Sequence, residues 1–461
     1  MLKLNTQQIA QILHADLVGD PRGEIEDIST DTRKTIKNSL FFALKGENFD
    51  AHHYLEQAQQ QGAVALVVEK INPQISLPQL VVKDTRLALG ELAKWVRQQV
   101  NPLTVAMTGS SGKTTVKEMT ASILQKSAGD SENVLFTEGN FNNDIGVPLT
   151  LLRLTPKHQF AVIELGANHQ GEIAYTTALA QPNVALVNNV AAAHLEGFGS
   201  LEGVAQAKGE IYRGLPSTGV AIINKAHDYS EKWAADLAQR KVQYFAYQDK
   251  QADFYADNVQ FNESGSTFAL HTPQGSIQIQ LPYLGEHNVN NALAATALAM
   301  NVGATLEQVK QGLETRSQVK GRLFPIHVNE HLLLLDDTYN ANVDSLQSAI
   351  RVLQQYCAFR ILIVGDMAEL GENSQLCHQQ VADYARAANL DLVLSFGAES
   401  TVISEASLGQ HFTDKAALCA YVKPIIEQRL KQHQHIVVLA KGSRRMKMED
   451  VIDSLKETFV C

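Results

Sequence analysis

Cysteine, long apolar runs and positive charge are all scarce in this sequence, and each shortage excludes a class of protein. The four cysteines are scattered without C-x-x-C spacing (Cys357, Cys377, Cys419 and Cys461). This pattern predicts reduced thiols in a cytoplasm rather than a disulfide scaffold or a zinc site. No apolar run approaches the roughly 20 residues of a membrane helix, and the N-terminus has no signal-peptide pattern. Because the net charge is −10, we expect no basic face for nucleic acid.

The length of 461 residues is too great for one hydrophobic core, and changes in pattern predict three α/β domains. Residues 1–100 mix short strands and helices, as in a small α/β domain. Residues 101–313 contain buried strands separated by helical stretches, which indicates a parallel sheet with crossover helices, and an antiparallel patch over 252–282. Residues 314–461 contain four apolar strands, each followed by a helix. This predicts a Rossmann-like doubly wound domain, although the G-x-G-x-x-G fingerprint of dinucleotide binding is missing.

A glycine-rich turn, T-G-S-S-G-K-T-T over residues 108–115, joins a short apolar strand to a helix. The backbone N–H groups of such a turn and of the helix N-terminus form an anion site. We expect Lys113 to reach the β- and γ-phosphates of a nucleoside triphosphate, and Thr114 or Thr115 to hold Mg²⁺. The usual spacing would place a glycine where Met107 stands, so the match to the common phosphate loop is imperfect.

Polar side chains stand at the ends of several other predicted strands. Glu164 ends the strand F-A-V-I-E, where its carboxylate can reach a metal ion held by phosphates. His194 and Lys208 follow later in the chain, but spacing alone assigns neither of them to a site. The C-terminal strands end in polar groups, at the edge where doubly wound sheets bind ligands. These groups are Asp336, Asp337, Asp366, Lys441, Ser443 and Arg444.

Seven motifs, in this order over most of the chain, resemble those of the Mur ligases, ATP-dependent amide-forming enzymes of peptidoglycan synthesis. They are T-G-S-S-G-K-T-T, E-L-G-A, N-V-A-A-A-H-L-E-G-F-G-S, A-K-G-E-I-Y, G-E-H-N-V-N-N-A-L-A-A, D-D-T-Y-N-A-N and L-A-K-G-S-R. The N-terminal stretch S-T-D-T-R-K-T-I-K-N-S-L-F-F-A-L-K-G resembles the UDP-binding domain of the later enzymes of the series, and no D-N-P motif occurs. Among the Mur ligases, these features resemble the member that adds a dipeptide.

The resemblance implies an activity, cofactors and partners. ATP would phosphorylate the terminal carboxylate of UDP-N-acetylmuramoyl-tripeptide, and the amine of D-alanyl-D-alanine would displace phosphate to form an amide. Two Mg²⁺ sites and a carbamylated Lys208 are implied, with these small molecules as the partners of a monomeric protein. The process served would be peptidoglycan synthesis, and through it cell-wall biogenesis, cell shape, the cell cycle and cell division.

The resemblance also implies site residues, which fall into groups by ligand. ATP would be bound by Thr108, Gly109, Ser110, Ser111, Gly112, Lys113, Thr114, Thr115, Asn288, Arg322 and Asp337. Metal would be held by Thr114, Glu164, His194 and Lys208, and the catalytic set would be Lys113, Glu164, His194 and Lys208. The UDP-sugar substrate would be bound by Ser29, Asp31, Thr32, Arg33, Thr137, Asn140 and Asn143. The reacting carboxylate and the dipeptide would be faced by Lys441, Ser443 and Arg444.

Two other interpretations remain open from the sequence. A different acid–amine ligase of the same architecture, such as folylpolyglutamate synthase, would lack a UDP-binding N-terminal domain. An NTP-driven switch or a small-molecule kinase would need neither an amine substrate nor a third domain. These alternatives differ in whether phosphate release from ATP requires both the UDP-tripeptide and the dipeptide.

Overall fold

The structure is a computed structural model that describes residues 1–21, 23–34, 36–46, 48–192, 195–315 and 320–460. Its three large sheets, of five, nine and six strands, follow one another along the chain and confirm the predicted three-domain α/β architecture. Within the described ranges, no helix has both the length and the apolar character needed to cross a membrane.

The N-terminal domain contains a five-stranded sheet and an outlying two-stranded pair. Its elements are β1 (Leu4–Asn5), α1 (Thr6–Leu13), β2 (Asp16–Val18), β3 (Glu24–Ile25), β4 (Asp27–Ser29), β5 (Ser39–Phe42), α2 (Leu55–Gln60), β6 (Ala63–Val68), β7 (Gln79–Val81) and α3 (Thr85–Val100). The sheet order is β2-β7-β6-β5-β4, and only the β2–β7 pair is antiparallel. A 3₁₀ turn at Ala51–Tyr54 leads directly into α2.

The central domain is built on a nine-stranded sheet. Its elements are β8 (Leu103–Thr108), α4 (Lys113–Ala128), β9 (Val134–Phe136), α5 (Gly146–Leu152), β10 (Phe160–Glu164), α6 (Glu172–Ala180), β11 (Val184–Val187), α7 (Leu195–Phe198), α8 (Leu201–Gly209), β12 (Val220–Asn224), α9 (Ala234–Leu237), β13 (Lys241–Tyr247), β14 (Phe254–Asn262), β15 (Gly265–Thr272), β16 (Gly275–Leu281), α10 (Glu286–Met300) and α11 (Leu306–Leu313). The order is β16-β15-β14-β13-β12-β11-β8-β10-β9. The strands from β14 to β9 are parallel, and β14–β16 form the predicted antiparallel patch.

The central strands are predominantly apolar because both faces of this sheet are covered. Helices α4, α10 and α11 pack on one face, while α3, α5 and α6 pack on the other. Helix α3 therefore joins the N-terminal domain to the central one. Its buried Arg97 donates to the carbonyl oxygens of Ala180 (2.8 Å) and Gln181 (2.9 Å) at the end of α6, where cations complement the helix dipole. Burial lowers the pKa of Arg97 to about 10.

The C-terminal domain is a doubly wound sheet with helices on both faces. Its elements are β17 (Phe324–His327), β18 (Leu332–Asp337), α12 (Val343–Gln354), β19 (Phe359–Gly365), α13 (Ser374–Ala387), β20 (Leu392–Phe396), α14 (Thr401–Ala406), β21 (Gln410–Phe412), α15 (Lys415–Lys431), β22 (Ile436–Lys441) and α16 (Glu449–Phe459). The order is β17-β18-β22-β19-β20-β21, with β17 alone antiparallel. The four predicted strands are confirmed. The edge strands β17 and β21 were missed because one contains Pro325, which edges tolerate, and the other has three residues.

Candidate active site

The glycine-rich turn adopts the conformation that its sequence predicts. Gly112 has φ +76°, and a Cβ there would lie 2.5 Å from Asn291 Oδ1 and 2.6 Å from Asn188 Nδ2. Only glycine satisfies both the left-handed backbone and the close approach. Helix α4 begins at Lys113, and no side chain caps its first turn. Its first N–H groups are thus open to an anion.

Two asparagines that the sequence analysis missed hold this turn in place. Asn189 Oδ1 accepts from Ser111 N (2.9 Å), and Asn189 Nδ2 donates to Ser111 O (3.1 Å). Asn188 Nδ2 donates to Ser111 O and to Asn291 Oδ1, each at 3.1 Å. In the sequence, these two residues could have been recognised as the polar pair of V-A-L-V-N-N-V, which stands directly after β11. The carboxyl end of β11 lies beside that of β8, which precedes the turn.

Lys113 and Arg322 bring positive charge to the turn from two domains. Lys113 Nζ donates to Gly109 O (2.7 Å), so its side chain folds back over the loop. Burial lowers the pKa of Lys113, nearby Arg322 lowers it further, and Glu164 opposes them. Arg322, at the start of the C-terminal domain, donates from Nη2 to Thr114 Oγ1 (3.3 Å). The two cations are therefore placed to share an anionic ligand at the turn.

A cavity of about 280 Å³, which we name the loop cavity, opens beside the turn. Lys113, Asn140, Asn143, Glu164 and Lys208 are among the residues that line it, together with Ser110–Gly112 and Asn340–Asn342. It therefore brings together residues, far apart in the sequence, that are predicted to be catalytic, metal-binding or substrate-binding. His194, assigned to the same set, lies outside the described residues.

Glu164 is a buried carboxylate, and only one of its two oxygens accepts a hydrogen bond from a described residue. Its side chain is 2% exposed, and Oε1 accepts from Asn142 Nδ2 (2.8 Å). Its backbone N–H donates to Thr137 Oγ1 (3.0 Å), so Thr137 positions Glu164 and does not line the loop cavity. In the described part of the chain, Glu164 Oε2 has no hydrogen-bond partner. A buried, unsatisfied carboxylate oxygen is costly, and a cation in the loop cavity would satisfy it.

Lys208 is the other buried charge-bearing group of the loop cavity. Its side chain is 2% exposed, and Nζ lies 5.9 Å from the ring centroid of Phe198. No described residue gives it a hydrogen bond or an ion pair. Burial lowers the pKa of Lys208 well below its usual value, and Lys113 lowers it further. Taking an unpaired ammonium out of water favours the neutral amine. Across the described residues, no three His, Cys, Asp or Glu side chains form a metal-binding group.

A second cavity, of about 350 Å³, also borders the turn, at Ser111, Gly112 and Thr115. We name it the Asn288 cavity. It is lined by Asn288, His287 and Asp337, among others. Asn288 Nδ2 donates to Leu284 O (2.8 Å), which orients its amide. Burial, with Lys441 nearby, lowers the pKa of His287 to about 4, so a neutral imidazole, missed by the sequence analysis, faces this cavity.

Lys441 also lines the Asn288 cavity, and so lies apart from the other two residues predicted for the dipeptide. Its Nζ forms an ion pair with Asp337 Oδ2 (2.7 Å) and donates to Asn340 O (2.9 Å). Ser443 and Arg444 line a third cavity, of about 330 Å³, together with Arg445. We name this the Arg445 cavity. The turn from Lys441 to Arg445 therefore contributes to two cavities.

The loop over residues 366–374 runs from the end of β19 to the first residue of α13 and forms one wall of the Arg445 cavity. A histidine that the sequence analysis missed holds this loop in place. His378 is 1% exposed. Its Nε2 accepts from Met367 N (3.1 Å), so the proton is on Nδ1, which donates to Ser374 O (2.8 Å). One neutral imidazole thus joins the two ends of the loop.

The residues predicted for the uridine end lie at the carboxyl end of β4 and directly after it; they are Ser29, Asp31, Thr32 and Arg33. Arg33 donates through Nε (2.9 Å) and Nη2 (2.8 Å) to the carboxylate of Asp31. These hydrogen bonds lower the pKa of Asp31 to about 2. None of the three cavities includes these four residues.

Comparison with known proteins decides the family. The Mur ligase family catalytic-domain profile matches residues 24–97, the Mur ligase middle-domain profile 107–299, and the Mur ligase glutamate-ligase-domain profile 321–444. Over the whole of both chains, the sequence is 67% identical to the UDP-N-acetylmuramoyl-tripeptide–D-alanyl-D-alanine ligase of Haemophilus influenzae and 53% identical to that of Escherichia coli. The chain belongs to the Mur ligase family.

Solved structures agree with this assignment. A crystal structure of MurF from Acinetobacter baumannii superposes with a TM-score of 0.92 at 39% identity, covering 99% of each chain. MurF ligase from Thermotoga maritima in complex with ADP gives 0.82 at 25% identity, covering 94% of this chain and 98% of that one. Folylpolyglutamate synthase of Mycobacterium tuberculosis, at 14% identity and 0.64, shares the fold alone. The family, the ligase class and the fold that the sequence predicted for this Mur ligase are confirmed.

Proposed function

We propose that this Mur ligase joins D-alanyl-D-alanine to UDP-N-acetylmuramoyl-tripeptide, with conversion of ATP to ADP and phosphate. The observation that carries the proposal is the full-length, 67% identity to a ligase of that name. The arrangement of the three cavities supports it. The loop cavity shares Ser111, Gly112 and Arg322 with the Asn288 cavity and Asn340–Asn342 with the Arg445 cavity. Three ligands can therefore meet at one point.

The phosphate of ATP serves to activate a carboxylate. A carboxylate does not react with an amine at neutral pH because its leaving group would be oxide. Attack of a carboxylate oxygen on the γ-phosphorus releases ADP and gives an acyl phosphate. The neutral amine then attacks the carbonyl carbon, the C–O bond to phosphate breaks with release of inorganic phosphate, and loss of one proton from the nitrogen leaves the amide. Lys113 and Arg322 offset the repulsion between the two anions.

The residues of the loop cavity fit Mg²⁺, which prefers oxygen ligands. Glu164, whose Oε2 has no hydrogen-bond partner among the described residues, and Thr114 would hold Mg²⁺ together with His194 and a modified Lys208, over two sites. When bound, Mg²⁺ neutralises charge on the phosphates. Thr114 Oγ1 is engaged by Arg322 Nη2, so Arg322 is placed to move from the hydroxyl to a phosphate oxygen.

Lys208 would act as a carbamate. Its neutral nitrogen attacks CO₂, loses one proton, and becomes an anion with two oxygen donors. The amine is buried and has no hydrogen bond or ion pair with a described residue. Burial lowers its pKa well below the usual value, which favours the neutral form that this step needs. Without the modification, the loop cavity would contain few carboxylates besides Glu164 that could bind a second cation.

The substrate assignments follow the cavities. ATP would lie along Thr108–Thr115, with its adenine at Asn288 and its ribose at Asp337. The UDP-sugar peptide would extend from Ser29 and Asp31–Arg33 to Asn140 and Asn143, with Thr137 acting through Glu164. Ser443 and Arg444 would face the dipeptide, and Lys441 would act beside Asp337. We further propose a monomer in the cytoplasm that serves cell-wall synthesis, and through it cell shape and division.

The test is product formation with one substrate omitted at a time. We expect ADP and UDP-N-acetylmuramoyl-pentapeptide, measured by chromatography and mass spectrometry, only when ATP, UDP-tripeptide and D-alanyl-D-alanine are all present. A small-molecule kinase would instead make a stable phosphorylated UDP-tripeptide without the dipeptide. ADP formation without either substrate would indicate an NTP-driven switch. Either result would contradict the proposal.

A further inference from the structure

The Arg445 cavity has two walls of opposite charge, and residues of two domains form the negative one. Arg444 and Arg445, between β22 and α16, form its positive wall. Glu196 of α7 and Glu369 of the 366–374 loop form its negative wall. The backbone N–H of Glu196 donates to Glu369 O (3.3 Å), which joins the central and C-terminal domains at this wall. The positive wall is complementary to the carboxylate of a small ligand.

The two arginines of the positive wall are not equivalent. Arg444 Nη2 forms an ion pair with Glu449 Oε1 (2.7 Å), so a partner inside the protein already engages its charge. Arg445 is exposed, and its guanidinium has no ion pair or hydrogen bond with any described residue. Arginine is well suited to carboxylates because its planar fork can donate two parallel hydrogen bonds. Arg445 is thus the cation of this wall whose fork is available to a ligand.

Ser443 provides a second, independent sign of a ligand. Its side chain is 1% exposed, yet Oγ has no partner among the residues described. A buried hydroxyl without a hydrogen bond costs free energy, and native structures contain few. The backbone N–H of Ser443 donates to Asp366 O (3.0 Å), which fixes the serine beside the loop that lines the same cavity. The hydroxyl and Arg445 together offer donors to an anion.

We propose that Arg445 and the hydroxyl of Ser443 bind the free C-terminal carboxylate of the incoming dipeptide and so set its specificity. This inference rests on the proposed function and names the recognising group within it. The carboxylate would lie at the positive wall. The amine would then lie toward Asn340–Asn342, which the Arg445 cavity shares with the loop cavity. An acceptor without a free carboxylate would lack the contact that holds it in this direction.

The experiment compares two acceptors, D-alanyl-D-alanine and its C-terminal amide, in wild type and in Arg445→Met. Methionine keeps an apolar stem and removes the charge. We expect wild type to prefer the acid by about 30-fold in kcat/KM, and Arg445→Met to reduce that preference to less than about threefold while using the amide as well as wild type does. Ser443→Ala should lose part of the preference. KM for ATP and for the UDP-tripeptide should stay unchanged.

Two further variants keep the result interpretable. Arg386→Met removes an exposed arginine of α13 that lines none of the cavities, and it should behave as wild type. If Arg445→Met does not fold by circular dichroism, Arg445→Lys serves instead and should retain part of the acid preference. A folded Arg445→Met that still prefers the acid by 30-fold overturns the inference, as does an equal loss with both acceptors. A wild type that forms no product overturns the proposed function itself.

Discussion

Replacing Gly112 by alanine is expected to weaken nucleotide binding through a collision that the structure locates. The new Cβ would lie 2.5 Å from Asn291 Oδ1 and 2.6 Å from Asn188 Nδ2, so the two amides must separate. This breaks the hydrogen bonds from Asn188 Nδ2 to Asn291 and to Ser111. At roughly 1 kcal/mol each, their loss costs about 2 kcal/mol.

A matched control exists at the other end of the same helix. Gly129 has φ +73°, close to the +76° of Gly112, but nothing lies within 4 Å of its Cβ position. Both substitutions bear the roughly 1–2 kcal/mol cost of a left-handed alanine. Only Gly112→Ala adds the collision, and about 2 kcal/mol corresponds to roughly 30-fold in affinity.

The assay is calorimetric titration with a non-hydrolysable ATP analogue and Mg²⁺, alongside the free energy of unfolding in urea. We expect Gly129→Ala to lose stability and keep wild-type affinity, and Gly112→Ala to bind about 30-fold more weakly. The reasoning is refuted if Gly112→Ala binds within threefold of wild type, or if Gly129→Ala weakens binding equally.

Three further substitutions follow from the same site. Lys113→Ala should reduce kcat by at least about 100-fold with an unchanged circular dichroism spectrum; wild-type ligation by a folded variant would contradict the role of the loop. Lys208→Arg should be inactive because guanidinium cannot be carbamylated under these conditions. The activity of wild type should fall when CO₂ and bicarbonate are removed and return when bicarbonate is added. Full activity of Lys208→Arg would contradict the carbamate. His378→Phe should raise KM for the dipeptide about tenfold, because the two hydrogen bonds at the ends of the 366–374 loop are lost. KM for ATP should stay unchanged. An equal rise in both KM values would indicate general destabilisation.

The sequence predicts the parts of this structure that depend on local pattern. The turn over residues 108–115 and helix α4 follow from glycine, lysine and the spacing of apolar residues within one segment. The parallel strands follow from continuous apolar runs, because both faces of the central sheet are covered. Glu164 was found because a lone carboxylate ends such a run.

Contacts between distant segments were not predictable in this way. The hydrogen bonds of Asn188 and Asn189 to Ser111 span 77 or 78 residues, and no local period encodes them. The family resemblance grouped Lys441 with Ser443, yet the ion pair of Lys441 with Asp337 turns its side chain toward a different cavity. In the sequence Arg445 resembles any basic residue of a surface turn; the structure distinguishes it, because Arg444 pairs with Glu449 and Arg445 pairs with no described residue.

The measurement that tests the central claim most directly is the fate of the carboxylate oxygen. UDP-N-acetylmuramoyl-tripeptide labelled with ¹⁸O in its reacting carboxyl group is incubated with ATP, Mg²⁺ and D-alanyl-D-alanine, and the released phosphate is analysed by mass spectrometry. An acyl phosphate requires one ¹⁸O atom to pass from the carboxyl group to each phosphate formed. Phosphate without the label, formed together with the pentapeptide, would contradict activation of the carboxylate by phosphorylation.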